Sequence, residues 1–355
     1  MSRALSKEDT IVTPQSQIQA HKIYHSLTHI LTQPRNPSSL LEIELLPKSH
    51  ALPPDQNYII EDTSIAIPKR SLVQAFIVAR EILFRHVRLS KLEEGEGKED
   101  EEVELLKASF VVLLMDAEHL TAANARKRIV KSQFQLHHQN REEVFNSELG
   151  FVDTLLTARL HRHTKSPTLW SHRRWLLSLF HSSGPYETKN EYDIRQGFKS
   201  VIVVAAERHP KNYYAWSHAR WLVETFSADG RGKGKEEIFR ELLPVVQDWA
   251  LRHPSDISGF SFLFFCLSEV GSETRRKVYQ QVLNLVVSFR WANESVWIFL
   301  RALAAFDRDI GEGFEDDVAE FMGSYPDTED SKEQLTLRSA VAWYKENNHN
   351  KNTIT

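Results

Sequence analysis

Residues His209–Val223 read HPKNYYAWSHARWLV, and His163–Leu177 read HTKSPTLWSHRRWLL. Both open on His-x-Lys, carry Trp-Ser-His in the middle and close on Arg-Trp-Leu. The two tryptophans that anchor the comparison, Trp170 and Trp216, are 46 residues apart. Another 44 residues on lies Phe260, in a segment that again begins His253-Pro254, and 37 further lies Trp297 in NESVWIFLRAL. Ala123, in HLTAANARKRIV, sits 47 residues before Trp170. Self-similarity at a period in the forties is the mark of a helical repeat, and five copies are legible.

A second amphipathic pattern precedes each anchor. Ile194, Phe198, Val201 and Ala205 come before one His-Pro pair; Ile238, Leu242, Val245 and Trp249 come before the next, again offset by 44. The unit is therefore helix, short turn, helix. Proline at the head of the second helix is harmless, because the first turn has N–H groups without intrahelical partners, and Asn212 is placed to cap it. Pro244 falls inside the preceding helix and is expected to kink it. One such pair cannot bury its apolar face alone, so neighbours must stack. The fold expected is all-α, a solenoid or right-handed superhelix of antiparallel helical hairpins.

Helical periodicity begins near Ser71 with Leu72, Phe76, Ala79 and Leu83 and continues nearly to the end. Residues 71–345 are accordingly read as the repeat domain and 346–355 as a disordered tail. Seven of the 13 prolines fall in the first 70 residues, which are read as an irregular extension apart from one helix candidate between Pro14 and Pro34. Eight of the twelve residues from Glu93 to Glu104 are acidic, which reads as a solvated loop. Asp229–Lys235 (DGRGKGK) lacks the Gly-Lys-Ser/Thr ending and preceding strand of a phosphate loop and reads as a linker.

A formal charge of −4, from 44 basic and 48 acidic residues, offers no whole-chain attraction to nucleic acid. The single cysteine, Cys266, excludes an internal disulfide framework and fits a reducing compartment. With no signal-like or membrane-spanning apolar stretch, the expected location is cytoplasmic.

The pattern Asn-Tyr-x-x-Trp-x-x-Arg-x-x-Leu with Lys before it resembles the repeat of protein prenyltransferase α subunits. Lys211-Asn212-Tyr213 through His218 is similar to the family's third repeat, and Asn293–Trp297 followed by Leu300-Arg301 to its fifth; the likeness covers about residues 105–305. Departures are Ala123 and Phe260 at the tryptophan position, and Ala219 and Leu263 at the arginine position, which suggest a divergent member. The resemblance implies an α-type subunit of a heterodimer, most similar to members that pair with a geranylgeranyltransferase β subunit. Zinc and the isoprenoid pocket then belong to the β subunit, and this chain binds no cofactor or metal of its own. The implied chemistry joins a protein substrate's C-terminal cysteine to a prenyl diphosphate bound at the subunit interface. Lys211, as the implied catalytic residue, reaches the diphosphate with Tyr213 beside it, and a lysine just before a helix N-terminus adds its charge to the helix dipole. A non-enzymatic helical scaffold derived from the same family is the alternative.

Trp170, Trp216, Phe260 and Trp297 are read as core anchors, since stacked hairpins need a large aromatic at one repeated position. Arg173, Arg174 and Arg220 are candidates for contact with an acidic partner or for ion pairs between repeats. His172 and His218 share a repeat position and read as packing or capping residues. His21, His25 and His29 form a stripe at i, i+4, i+8, opposite Ala20, Ile23, Leu27, Ile30 and Leu31, and read as a solvated face rather than a zinc site. His161-x-His163 is read as a helix end without a third ligand, and Cys266, among phenylalanines, as a buried small hydrophobe.

Overall fold

A computed structural model describes residues 13–33, 40–47, 50, 52–53, 56–89, 98–136, 140–183, 192–227, 235–323 and 331–352. The glycine-rich segment of residues 228–234 and most of the loop after Ser183 lie outside the described residues. Among the described residues the fold is all-α apart from one small sheet, and 79% of them are helical. It divides into two compact units, Met1–Asn190 with Val204–His209, and Glu191–Val203 with Pro210–Thr355.

In the first unit, α1 (Pro14–Leu31) starts at a capping box in which Thr13 and Ser16 satisfy each other's backbone N–H groups, with Pro14 at the first helical position. Its buried face is Ala20, Ile23, Tyr24, Leu27, Ile30 and Leu31, while His21, His25 and His29 are exposed. Helix α2 (Lys69–Leu89) packs on α1, and α3 (Lys98–Met115) packs on α2. Two hairpins follow: α3 with α4 (Leu120–Leu136), and α5 (Arg141–Leu156) with α6 (Pro167–Ser183), with α6 stacked on α4.

The proline-rich first 70 residues hold more regular structure than their composition implies. Besides α1 they contain β1 (Glu42–Leu46), β2 (Ile59–Glu61) and β3 (Ser64–Pro68) in the order β1-β3-β2, the first pair parallel and the second antiparallel. Alternation explains the sheet: Ile43, Ile65 and Ile67 point inward and are buried, and Pro68 closes β3 where no ladder donor is needed. The sheet is tied to the turn after α5 by the Arg159 N–H on the Ile43 carbonyl at 3.1 Å. Glu42 also meets Arg159 at 3.4 Å and pairs with Arg208 of α8 (Val204–Arg208).

The acidic segment is also more ordered than a solvated loop. Residues 98–104 are the start of α3, where Glu99, Asp100 and Glu101 occupy the first turn and favour the positive end of the helix dipole; residues 93–97 lie outside the described region.

The second unit holds α7 (Ile194–Gly197) and a π-helical segment, Phe198–Val203, then α9 (Tyr213–Ser227), α10 (Lys235–Arg252), α11 (Ile257–Ser268), α12 (Ser272–Phe289), α13 (Glu294–Phe306), α14 (Arg308–Gly323) and α15 (Lys332–Asn352). Here α10–α11, α12–α13 and α14–α15 are hairpins, with α9, α11 and α13 stacked in succession. The expected single helix before His209-Pro210 is thus α7, π segment and α8, the wider π turn accommodating Phe198 and Val201 in the core. Helix α10 runs through Pro244, whose ring lies on the exposed side. The tail expected to fray is helical as far as Asn352.

Candidate functional site

The second helix of every repeat starts in the same way. Four residues before each anchor stand His119, Ser166, Asn212, Asp256 and Asn293. The backbone carbonyl of each accepts the N–H of its anchor: Ala123 at 3.2 Å, Trp170 at 3.1 Å, Trp216 at 3.4 Å, Phe260 at 3.4 Å and Trp297 at 3.2 Å. Four of these residues also cap with their side chains, His119 Nδ1 accepting from Ala122, Ser166 Oγ from Leu169, Asn212 Oδ1 from Ala215, and Asp256 Oδ1 from Ser258 and Gly259. The repeat is thus a capped N-terminus with the anchor closing the first helical hydrogen bond.

The anchor then holds its own turn. Trp170 Nε1–H donates to the Thr164 carbonyl at 3.0 Å, and Trp297 Nε1–H donates to the Trp291 carbonyl at 2.9 Å, the same six-residue reach. All four aromatic anchors are buried. Trp216 packs edge-on against Trp249 at 4.9 Å, Phe260 meets Phe299 at 5.3 Å, and Trp297 meets Phe321 at 5.3 Å.

Within each unit, hydrogen bonds join the turn of one repeat to the turn of the next. In the first, Ser166 Oγ–H reaches the Ala117 carbonyl and Glu118, and Thr168 Oγ1–H donates to Glu118 Oε2 at 2.5 Å. The ring of His161 lies against that of His209, 4.3 Å between centroids. In the second, Lys211 N–H donates to Asp256 Oδ2 at 2.5 Å, Asn293 Nδ2–H to Ser255 Oγ at 2.9 Å, and Ser295 Oγ–H to the Pro254 carbonyl at 2.5 Å.

Lys211 and Tyr213 stand on this edge of the second unit. Asn212 between them is fully buried, whereas Lys211 is exposed and Tyr213 is 66% exposed, its ring edge-on to Tyr214 at 5.9 Å. Lys211 has φ 57°, the left-handed region that costs a non-glycine residue about 1–2 kcal/mol. Among the described residues no carboxylate pairs with its ammonium. Lys211 therefore displays a cation just ahead of a helix N-terminus, the arrangement that suits an anion.

The arginines divide. Arg173 is fully buried and bound to Asp153, Nε to Oδ1 at 2.6 Å, so it is committed within the first unit and is not a partner contact. Arg174 and Arg220 are exposed, Arg220 lying over the Phe265 ring at 4.5 Å. Arg126, at the corresponding position of the first repeat, is the centre of a buried cluster: it bonds both oxygens of Glu148 at 2.9 and 2.6 Å, the Leu106 carbonyl at 2.7 Å and Ser109 Oγ at 3.0 Å, and lies over Phe151. His172 Nε2 meets the other side of Glu148 at 2.7 Å. Burial pushes the Glu148 carboxyl up, but Arg126 and His172 outweigh it and hold the value at about 2. Burial lowers His172, so the neutral ring donates Nε2–H to Glu148, and Nδ1 has no partner. This is a structural cluster, closed to solvent on every side. His218 is buried at the equivalent position of the third repeat. Its ring tilts against Trp221, 5.3 Å between centroids.

Among the described residues no group of three or more His, Cys, Asp or Glu is arranged to hold a metal. His163 is in a turn rather than at a helix end; it is buried, with Nε2 3.0 Å from the Leu113 carbonyl. Burial pushes the Cys266 thiol far up, away from nucleophilic chemistry. Among the described residues no helix is long and apolar enough to cross a membrane.

Comparison with known families agrees with the hairpin geometry. Residues 145–180 match the protein prenyltransferase alpha subunit repeat. The chain is a divergent carrier of that repeat. The matched stretch runs through α5 and α6 and includes Glu148, Asp153, Trp170, His172 and Arg173; its first and last residues, Phe145 and Phe180, stack on each other at 4.0 Å. A second match, to the ECM9 middle domain, covers residues 169–289, from α6 to α12, and includes Lys211, Tyr213 and Asp256. No curated protein matches the chain. Asp256 and the Arg126–Glu148 pair escaped the sequence reading; aligning the residues four before each anchor is the signal that points to Asp256.

Proposed function

We propose that this chain is the α-type subunit of a heterodimeric protein prenyltransferase, acting with a zinc-binding β subunit to transfer a geranylgeranyl group to a protein cysteine. The observation that carries the reading is the prenyltransferase alpha subunit repeat at residues 145–180. The exposed, unpaired ammonium of Lys211 beside exposed Tyr213 supports it, because a departing diphosphate gains negative charge in the transition state and a fixed cation aimed at that charge lowers the barrier. The reaction joins the substrate's sulfur to the first carbon of the prenyl chain while the carbon–oxygen bond to diphosphate breaks. Zinc, held by the partner, would favour the substrate's thiolate, with the thiol proton passing to solvent; Lys211 and Tyr213 bind and orient the diphosphate, and Arg174 and Arg220, both exposed, would face acidic partner residues.

A second reading, a non-enzymatic helical scaffold, is favoured by the absence of the repeat arginine at Ala219, Leu263 and Leu300. Lys211→Ala in the assembled heterodimer separates the two. Transfer is expected to fall roughly 10- to 1000-fold with the heterodimer intact, since an interaction made in the transition state acts on rate. Unchanged transfer would leave this subunit contributing shape and partner choice alone.

A further inference from the structure

We infer that Asp256 is a positioning residue for Lys211, holding its backbone in the left-handed turn from which the ammonium is presented to an anionic ligand. The inference rests on the proposed role of Lys211. Asp256 is 4% exposed and uses both carboxylate oxygens on backbone donors. Oδ1 accepts from Ser258 N–H at 2.9 Å and Gly259 N–H at 3.2 Å, which is ordinary capping of α11. Oδ2 turns the other way and accepts Lys211 N–H at 2.5 Å, across to the preceding repeat.

Capping alone does not call for aspartate at this place. His119, Ser166 and Asn212 cap the corresponding helices with a single acceptor atom each, and Asn293 uses its amide as a donor to Ser255. Among these five residues Asp256 is the one with two acceptor oxygens, and its second oxygen meets the residue that carries the unfavourable φ. Glycine would occupy that φ without steric strain, so a lysine at this φ is consistent with use of its side chain. The carboxylate charge is met by three backbone N–H groups, two of them at the positive end of α11, rather than by the lysine's own ammonium. The ammonium is left for a ligand while its main chain is clamped.

Asp256→Ser tests this, because serine still caps α11 but has no second oxygen for Lys211. In the full-length chain, amide hydrogen exchange at Lys211 should quicken about tenfold to hundredfold, as expected for a lost bond to a charged acceptor, while Ser258 and Gly259 keep their protection. In the heterodimer, Asp256→Ser should lower kcat to within about threefold of Lys211→Ala, leave KM for the protein substrate unchanged, and add nothing to Lys211→Ala in the double variant. Unchanged exchange at Lys211, or full turnover in Asp256→Ser where Lys211→Ala is slow, would overturn the inference. Full turnover in Lys211→Ala would instead overturn the diphosphate role, with the exchange measurement alone deciding whether Asp256 clamps the turn.

Discussion

Replacing Arg126 with methionine tests the buried cluster of the first unit. The guanidinium makes two bonds to Glu148, one to the Leu106 carbonyl and one to Ser109, and Glu148 is 3% exposed. Methionine fills much of the arginine stem but leaves a buried carboxylate with His172 as its remaining side-chain donor. Breaking one side of a buried pair costs about 3–5 kcal/mol, chiefly the uncompensated charge. The variant should lose about that much in urea unfolding followed by circular dichroism at pH 7, and Arg126→Met/Glu148→Gln should regain most of it. The sign of the pH dependence follows. In the parent, the Glu148 pKa of about 2 lies below its ordinary 4.5, a contribution present above pH 4.5 and lost as pH falls towards 2. Without Arg126, burial raises the folded value above 4.5, so the folded variant gains protons before the unfolded chain does. Its deficit should therefore narrow between pH 7 and 4. A cost below about 1 kcal/mol, or a deficit constant over that range, would show that Arg126 does not hold the Glu148 charge in the folded chain.

Two further outcomes follow from the packing and the titrating groups. Gly259→Ala should destabilise by about 1–3 kcal/mol in the same urea assay, because its Cβ would meet the buried Trp249 ring, whereas Gly150→Ala, in open space on α5, should stabilise by up to about 1 kcal/mol. His172, whose folded pKa lies below its ordinary 6.5, contributes stability above pH 6.5 that is lost as pH falls through that value; His172→Gln, which keeps a donor to Glu148, should flatten the decline of Tm between pH 7 and 5.

The repeat was legible because large residues recur at a fixed phase: Trp170, Trp216, Phe260 and Trp297 mark it without any tertiary information. One helix start, at Asn212, was legible too, since capping is local chemistry, whereas the cap at Asp256 was not read. Interactions with no period were not. Arg126 pairs with Glu148, 22 residues away, and Arg173 with Asp153, 20 away, and nothing within a single helix announces either partner. Arg173 in sequence looks like any cation on a helix; only the packing of α5 on α6 buries it. The small sheet was hidden by prolines that prove to stand at strand ends, as Pro47 after β1 and Pro68 at the end of β3. Helix α3 begins inside an acidic run because the helix dipole offsets the repulsion that makes such a run look like a loop.

Association with a β subunit is the most direct test of the proposed α-subunit role. The chain should be co-expressed with each prenyltransferase β subunit in turn and resolved by size-exclusion chromatography. A stable one-to-one complex with one of them that transfers geranylgeranyl to a protein cysteine is expected, and a stable monomer of this chain with no affinity for any β subunit would contradict the proposed role.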